Sequence, residues 1–456
     1  MKLWENGGGV GLHEKVEEFT AGEDVKLDQR LVEWDVVGSI AHATMLNKIG
    51  ILTESELMDL KRALINVIDL NEKGKFIIEL KDEDIHTKIE NFLTENLGNV
   101  GKKIHTGRSR NDQVQVDLRL YTKEKLLKIQ INLLNLCKEL TRFAEKNKWV
   151  PMPGYTHFQK AMPSSVGLWA MAYAESLLDD LRILKTAYSI NDQNPLGSAA
   201  GYGVPLDLDR DLTTRLLGFE SLQNNVLYVQ NSRGKIESIV ISALSQIMID
   251  LSRLCNDVIL YSTEEFGFFN IGDKFRTGSS IMPKKRNPDI LELVRGKMST
   301  VVSSFTQVVD IIKNLPSGYH RDIQEAKGAL MRSLGVTYDS LEMVIMVVPE
   351  ITVNEERCAN SFTSQIFATD EAFSLVSQGM PFRDAYKHVD YNFQNYKKGS
   401  PEEIIRKRKY KGTTGNLGIN NAKKKVDREL KAAKDKESEF KAVIDSLLKD
   451  SGVTPS

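Results

Sequence analysis

The sequence predicts an all-α protein built around a central bundle of long helices. Five stretches contain apolar residues that recur at alternating steps of three and four. This spacing places one apolar stripe along each helix and has the period of left-handed bundle packing. Runs with the strict alternation of a half-buried strand are scarce. The stripes lie at residues 126–143, 170–184, 240–258, 294–312 and 330–348.

Apolar residues also lie away from the stripes, as at Ile239, Ile241 and Ile249. A second buried face explains such residues, since one stripe is enough for a helix that packs on one side only. We therefore expect the bundle to form the core of an oligomer.

Shorter helical regions flank the bundle. We expect an N-terminal helical domain at 1–105, a central bundle domain at 106–352 and a C-terminal helical domain at 353–456. The first contains an amphipathic helix at 55–70, with Ser55 as its cap. The last contains a charged amphipathic helix at 421–450, which follows a basic, glycine-containing loop at 397–418.

The composition is that of an ordinary soluble protein and argues against several function classes. The chain has 456 residues, of which 41% are hydrophobic, and a formal net charge of −1. A nearly neutral chain offers no bulk attraction to nucleic acid or to an anionic membrane. The N-terminus lacks the apolar segment of a signal peptide, and no run approaches the roughly 20 apolar residues of a membrane-spanning helix. We expect a cytoplasmic protein.

The cysteines and histidines give no sign of a metal site. Cys137, Cys255 and Cys358 lie far apart, which indicates reduced core residues instead of disulfides or a ligand set. The sequence has no histidine pair at helical spacing, no CxxC, no phosphate-binding loop and no Gly-x-Ser-x-Gly elbow. We expect no metal and no cofactor.

The stretch TGSSIMPKKRNPD at 277–289 is the most chemically distinctive loop, and it lies between two of the predicted long helices. It contains a glycine, two serine hydroxyls and the consecutive cations Lys284, Lys285 and Arg286. Asn287 as N-cap and Pro288 as first helical residue would end the loop at a helix start, where anions are favoured. We expect an anion-binding loop, and a solvated basic turn is the simpler alternative.

Three other polar segments interrupt the helical pattern. HTGRSRNDQ at 105–113 offers arginines, hydroxyls and an amide, which suit the recognition of carboxylates. MPGYTHFQKAMP at 152–163 is a proline-bracketed loop with Thr156 and His157, and histidine transfers protons well near neutral pH. PSGYHRDIQEAK at 316–327 is a weaker candidate. Together they predict a site for a small polyanion and for chemistry that builds up negative charge, such as proton removal next to a carboxylate.

These segments resemble one enzyme family. GSSIMPKKRNP is similar to the signature loop of the fumarase/aspartase superfamily, whose members share the β-elimination of fumarate. HTGRSRNDQ, GYTHFQKAMP and PSGYHRDIQEAK resemble the argininosuccinate lyases in particular, and the resemblance covers essentially the whole chain. It implies a fumarase/aspartase-like all-α fold. It also implies the reversible cleavage of argininosuccinate to fumarate and L-arginine, without a cofactor, in arginine biosynthesis.

The resemblance implies roles for individual residues. Ser279 matches the base that removes the Cβ proton of the succinyl group, and Lys285 matches the lysine that supports this base and the aci-carboxylate. His157 matches the histidine that transfers a proton to the departing guanidinium, and Glu292 matches the carboxylate paired with it. The division of acid and base between Ser279 and His157 stays open. The substrate-binding candidates are Ser109, Arg110, Asn111, Thr156, Asn287, Tyr319, Gln324 and Lys327.

The resemblance further implies a homotetramer whose central helices form one bundle and whose active sites combine loops of three subunits. One departure lies near the N-terminus, where the family pattern has a serine that contacts the substrate. Asp24 stands at about that position here, and Thr20 is the alternative contact. A carboxylate there would repel the succinyl group but could meet the arginine end.

Two alternatives stay open. A sister lyase of the adenylosuccinate lyase or aspartase type would share the 277–289 loop but lack HTGRSRND. A non-catalytic, crystallin-like structural homologue would have lost one or more of Ser279, His157, Lys285 and Glu292, and the sequence contains all four.

Overall fold

The structure, a computed structural model, describes residues 13–395 and 399–449. The first twelve residues, for which the sequence predicts no signal peptide, lie outside the described residues. Residues 396–398 and the last seven residues also lie outside them. Helices dominate the part of the chain that the structure describes, so the all-α prediction is confirmed.

The N-terminal part consists of helices around α3. They are α1 (Glu14–Ala21), α2 (Asp24–Asp28), α3 (Val32–Lys48), α4 (Glu54–Glu72), α5 (Ile85–Leu97) and α6 (Asn99–Lys102). Thr53 caps α4, because its side chain accepts the Glu56 N–H at 3.3 Å and the Glu56 carboxylate accepts the Thr53 N–H at 2.9 Å. The prediction that Ser55 caps this helix was wrong, since Ser55 lies inside the first turn.

Long helices form the central bundle at the positions of the predicted stripes. The bundle and its connections contain α7 (Arg110–Lys146), α8 (Val166–Asn191), α9 (Arg210–Leu216), α10 (Val226–Asn231), α11 (Lys235–Tyr261), α12 (Asp289–Ile312) and α13 (Glu325–Val347). Stripe residues such as Leu133, Leu244, Val301 and Leu334 are fully buried. The predicted bundle is therefore present, with α7, α8, α11, α12 and α13 as its long helices.

These long helices run up and down along the bundle. Asp112, near the start of α7, binds the backbone amides of Gly197 and Ala199, which follow the end of α8. Gly234, just before α11, lies against Ile312, the last residue of α12. One end of the bundle therefore holds the starts of α7, α11 and α13, and we call it the cavity end. We call the opposite end the hairpin end.

Short strand pairs occupy several connections. They are β1 (Pro151–Thr156) with β2 (Gln159–Ser165), β3 (Gln193–Asn194) with β4 (Ser221–Leu222), β5 (Phe269–Ile271) with the later β8 (Ile351–Val353), and β6 (Thr277–Gly278) with β7 (Arg286–Asn287). The segment 152–163 was predicted to be a loop, which was wrong, because β1 and β2 form an antiparallel hairpin there. Its turn has positive φ at His157 (53°) and Phe158 (57°), as in the tight turns that suit the twist of hairpins.

The C-terminal part ends in a long helix that packs back on the bundle. Its helices are α14 (Glu355–Asn360), α15 (Ala368–Ser377), α16 (Phe382–Asn392), α17 (Pro401–Lys407) and α18 (Ile419–Lys449). α18 confirms the helix predicted at 421–450 as far as Lys449, and its Phe440 stacks on Trp34 of α3 with ring centroids 5.9 Å apart. The loop prediction at 397–418 was wrong where α17 lies. The division into three domains stays a prediction.

Within the described ranges, α11 is long and apolar enough to cross a membrane by length and composition. It contains charged residues such as Glu237, Asp250 and Arg253, so it is not an unbroken run of about 20 apolar residues. Most of its apolar stretch is buried, including Val240, Leu244 and Leu251, so packing in the bundle accounts for the composition.

Candidate active site

A cavity of about 200 Å³ lies at the cavity end, between the N-terminal helices and the starts of α7 and α13. Its wall contains five of the predicted substrate-binding residues, Arg110, Asn111, Tyr319, Gln324 and Lys327, together with Thr20 and Asp24 of the N-terminal departure. A larger groove of about 610 Å³ lies beside the β1–β2 hairpin, but none of the predicted catalytic or binding residues lines it. The smaller cavity is therefore the candidate substrate site.

Ser109 and Asp112 fix Asn111 at the wall of this cavity. The Ser109 hydroxyl caps α7 by accepting the Asn111 N–H at 3.3 Å, and the Asp112 carboxylate accepts the Ser109 N–H at 2.9 Å. Asp112 also accepts the N–H groups of Gly197 at 3.0 Å and Ala199 at 2.9 Å. Burial raises the pKa of Asp112 to about 6 in spite of these bonds. Asp112 was not predicted as part of the site, although its spacing from Ser109 is the signal of a helix cap.

Arg110 is already paired within the chain. Its guanidinium donates to the Asp84 carboxylate at 2.8 Å and to the Thr87 hydroxyl at 2.6 Å. Asp84 caps α5, so this pair ties the starts of two helices together. Arg110 thus lines the cavity as half of an ion pair, and it is less available to a carboxylate ligand than a free guanidinium would be.

A buried charge network lies behind the cavity wall. His86 is hydrogen-bonded to Asp35. Burial lowers the pKa of His86, but the carboxylates of Asp35, Asp84 and Asp28 together outweigh it and raise that pKa. Both carboxylate oxygens of Asp117 are buried, and neither has a hydrogen-bond partner among the residues that the structure describes. Burial and the adjacent Asp35 hold the pKa of Asp117 well above its usual value, so the neutral form is favoured. No sequence signal points to this network, because Asp35 and His86 are 51 residues apart.

Lys327 is buried in the wall between two carboxylates. Its ammonium lies 2.6 Å from Asp28 and 3.0 Å from Asp24. Burial alone would lower the pKa of Lys327, but the two carboxylates outweigh it and raise that pKa. Gln324 donates its amide to the Thr20 carbonyl at 3.0 Å. Asp28 was not predicted as part of the site, although its spacing of four from Asp24 places both on one face of α2.

Thr156 and His157 lie at the hairpin end, at the tip of β1 and β2. Both are exposed, and the neighbouring Phe158 is 82% exposed. Lys160 fixes the hairpin by donating to the Ser361 carbonyl at 2.6 Å. The tip therefore presents a hydroxyl and an imidazole to the surroundings of the chain.

The 277–289 loop follows the hairpin end of α11. β6 and β7 close its base, and the Ser279 hydroxyl accepts the N–H groups of Ile281 at 3.3 Å and Met282 at 3.0 Å. Lys285 is exposed and forms no ion pair with any described residue. The loop is thus cationic and open to solvent, with Ser279 at the focus of two backbone donors.

α12 begins one residue later than predicted. The expected N-cap Asn287 lies in β7, and Pro288 takes the cap position without a side-chain hydrogen bond, so the Asn287 cap was wrong. Glu292 is exposed in the first turn of α12. In the parts of the chain that the structure describes, no hydrogen bond or ion pair joins Glu292 to His157. The expected pairing is therefore not made within one chain.

The hairpin end and the cavity end are too far apart for their site residues to meet in one chain. α7 has 37 residues and separates Asn111 from the hairpin by about 55 Å at 1.5 Å per residue. β1 has six residues and extends by about 20 Å. Even a hairpin folded straight back along α7 would leave His157 about 30 Å or more from Asn111.

Known proteins resemble this chain over most of its length. Residues 15–303 match a family described as "Lyase". The argininosuccinate lyase of Thermotoga neapolitana is 46% identical over 388 residues, which are 85% of this chain and 97% of the relative. That of Phocaeicola vulgatus is 44% identical over 417 residues, which are 91% of this chain and 93% of the relative. The chain belongs to the argininosuccinate lyase family. It is therefore a lyase, and the predicted family is confirmed.

Solved structures share the fold. A crystal structure of EDDS lyase in complex with formate has a TM-score of 0.82 at 22% identity, covering 97% of this chain and 96% of that one. A class II fumarase from Schistosoma mansoni has a TM-score of 0.71 at 15% identity, covering 86% and 95%. At these identities the likeness shows the fold alone, and the predicted fumarase/aspartase-like architecture is confirmed. As a member of the argininosuccinate lyase family, the chain acts on a small-molecule substrate.

Proposed function

We propose that this lyase catalyses the reversible β-elimination of argininosuccinate to fumarate and L-arginine. The observation that carries the proposal is that a chain 46% identical to a named argininosuccinate lyase gathers Asn111, Tyr319, Gln324 and Lys327 around one cavity. The reaction uses no cofactor, belongs to arginine biosynthesis and takes place in the cytoplasm.

We propose that the chains assemble into a homotetramer in which the cavity end of one chain meets the hairpin ends of others. The length of α7 supports this, since it prevents His157 from reaching the cavity of its own chain. Exposed apolar residues on the bundle helices also support it, because such residues mark surfaces that a partner covers. They are Ile183, Ile249, Leu293, Val309 and Met346.

In the proposed reaction, Ser279 removes a proton from Cβ of the succinyl group. The electron pair passes into the adjacent carboxylate and forms a dianionic aci-carboxylate, which Lys285 stabilises. The carbon–nitrogen bond then breaks, its electrons go to the guanidinium nitrogen, and His157 donates the proton that this nitrogen needs. Glu292 supports the protonated form of His157 in the assembled site.

The conformation of the 277–289 loop supports the role of Ser279. A serine hydroxyl is a weak base, and its alkoxide has to be stabilised for it to act. The N–H groups of Ile281 and Met282 already point at the Ser279 oxygen, and backbone donors of this kind favour a developing negative charge. Lys285 in the same loop adds a cation.

The decisive experiment measures fumarate absorbance after purified protein is mixed with argininosuccinate. We expect fumarate from the wild type and a loss in kcat of about 10³-fold or more for Ser279→Ala. Ser280→Ala is the matched control and should retain most of the activity. Turnover of adenylosuccinate or aspartate in place of argininosuccinate would show that the protein is a sister lyase. No turnover of any of the three would favour the non-catalytic structural homologue.

A further inference from the structure

Asp24 is the accessible member of the charged group around Lys327. The side chains of Lys327 and Asp28 are 3% and 1% exposed, whereas that of Asp24 is 16% exposed. The ammonium also lies closer to Asp28, at 2.6 Å, than to Asp24, at 3.0 Å. A ligand that enters the cavity can therefore reach Asp24, and Lys327 can release Asp24 while it keeps Asp28.

The charges of the cavity wall leave Asp24 underpaired. Arg110 is bound to Asp84 at 2.8 Å, and Arg321 is bound to Glu83 at 3.3 Å. Among the described residues, Asp24 forms an ion pair only with Lys327, which it shares with Asp28. Two carboxylates on one ammonium have a net negative charge, and this favours the binding of one further cation.

Hydrogen bonds within the chain hold the segment of Asp24 at the cavity wall. The Thr20 carbonyl, at the end of α1, accepts hydrogen bonds from Gln324 at 3.0 Å and from Arg321 at 2.9 Å. These bonds attach the end of α1 to the turn just before α13. Lys327 lies in the first turn of that helix. Asp24 and Lys327 are therefore presented to the cavity as a preorganised pair of opposite charges.

An α-amino acid end complements this pair, since its ammonium and carboxylate lie on one carbon. The ammonium can replace Lys327 at Asp24, and the carboxylate can take the position that Asp24 vacates at Lys327. Each charge then has a partner of opposite sign, with charge-assisted hydrogen bonds on both sides. A ligand without the ammonium would separate Asp24 from Lys327 and offer nothing in return.

We infer that Asp24 determines specificity by binding the α-ammonium group of the substrate's α-amino acid end while Lys327 binds the α-carboxylate. The inference rests on the proposed function, in which L-arginine is the product with such an end. It also accounts for an aspartate at the position where the family pattern has a serine. A serine can bind the same ligand, but without the charge it discriminates less against ligands that lack the ammonium.

Titration calorimetry with two ligands tests this inference. L-Arginine has the α-ammonium, and 5-guanidinopentanoate is the same molecule without it. We expect the wild type to bind L-arginine at least about tenfold more tightly, since a hydrogen bond to a charged group contributes on that scale. Asp24→Asn should weaken L-arginine binding by about tenfold or more and leave 5-guanidinopentanoate within about twofold. Glu23→Gln is the matched control, because it removes the same charge one residue away from the cavity lining, and it should keep the wild-type ratio.

Asp24→Ser, which restores the residue of the family pattern, is the second variant in case Asp24→Asn is poorly folded. An unchanged ratio in a folded Asp24 variant, or no detectable binding of L-arginine to the wild type, would overturn the inference. Calorimetry measures binding without turnover, so the role of Asp24 and the proposed lyase reaction are tested independently. A wild type that binds L-arginine through Asp24 but releases no fumarate from argininosuccinate would overturn the proposed function alone.

Discussion

The two ends of the bundle differ in how their charged groups are satisfied. At the cavity end, Lys327 is buried and bound to both Asp24 and Asp28. At the hairpin end, His157 and Lys285 are exposed. A buried charge has to be paired within the chain that folds around it, whereas an exposed charge is stable in water and stays available to another molecule. Folding therefore completes the charge pairing of the cavity end, whereas the hairpin end keeps free charges for the assembly that we propose.

The largest expected effect comes from inactivating each end in a different chain. Asn111→Ala at the cavity end should reduce kcat by about 10²-fold or more, and Ser279→Ala at the hairpin end by about 10³-fold or more. Coexpression of the two variants should restore a substantial part of the activity, because mixed assemblies contain sites with an intact cavity end and an intact hairpin end. Fumarate absorbance of the purified mixture measures the recovery.

The control for this mixture pairs Ser279→Ala with Lys285→Ala, since both substitutions lie in the same loop. If each site takes that loop from one chain, no mixed assembly of these two contains an intact loop, and the activity should stay low. Recovery in the control but not in the test mixture would contradict the separation of the two ends.

Removing a cation should affect stability at the cavity end much more than at the hairpin end. Lys327→Met leaves Asp24 and Asp28 without their cation and should lower the free energy of unfolding by about 3–5 kcal/mol. Lys285→Met removes an exposed charge and should change it by less than about 0.5 kcal/mol. Urea unfolding of both variants measures the difference, and equal losses would show that the two ends are not distinguished by pairing.

The middle of the bundle provides a smaller effect that depends on pH. Burial and the adjacent Asp250 raise the pKa of Asp180 from 3.8 to about 7. A carboxyl group whose pKa rises on folding contributes stability that is fully present below 3.8 and is lost as pH rises through about 7. Asp180→Asn should therefore be more stable than the wild type by about 1 kcal/mol at pH 8, since solvent screens part of the repulsion, and should lose this advantage at low pH.

Thermal unfolding of the wild type and of Asp180→Asn, measured at pH values from about 5 to about 8, tests this pH dependence of stability. The control is Asp179→Asn, one residue away, whose side chain is 74% exposed. Its charge contributes less to the raised pKa of Asp180 than burial and Asp250 do, so Asp179→Asn should change the pH dependence much less than Asp180→Asn does. A stability difference for Asp180→Asn that does not vary with pH would refute the titration of Asp180 as its cause.

Local patterns in the sequence predicted the bundle, because a stripe of apolar residues specifies both a helix and its buried face. They did not predict the hairpin, since 152–163 lacks strand alternation and turns at His157 and Phe158 without a glycine or asparagine. The Lys327–Asp28 pair escaped prediction because its partners are 299 residues apart. Family patterns named the site residues, but the charge pairing that holds them depends on contacts that only the folded chain brings together.

The length of α7 also affects how the activity depends on the amount of protein. If the active site combines ends of different chains, as we propose, a chain whose two ends are about 55 Å apart is folded but catalytically silent when it is alone. Specific activity should then fall on dilution below the dissociation constant of the assembly, even though each chain keeps its fold. On the proposed assembly, a cell that makes this chain has to hold it above that threshold concentration before any flux passes through the reaction.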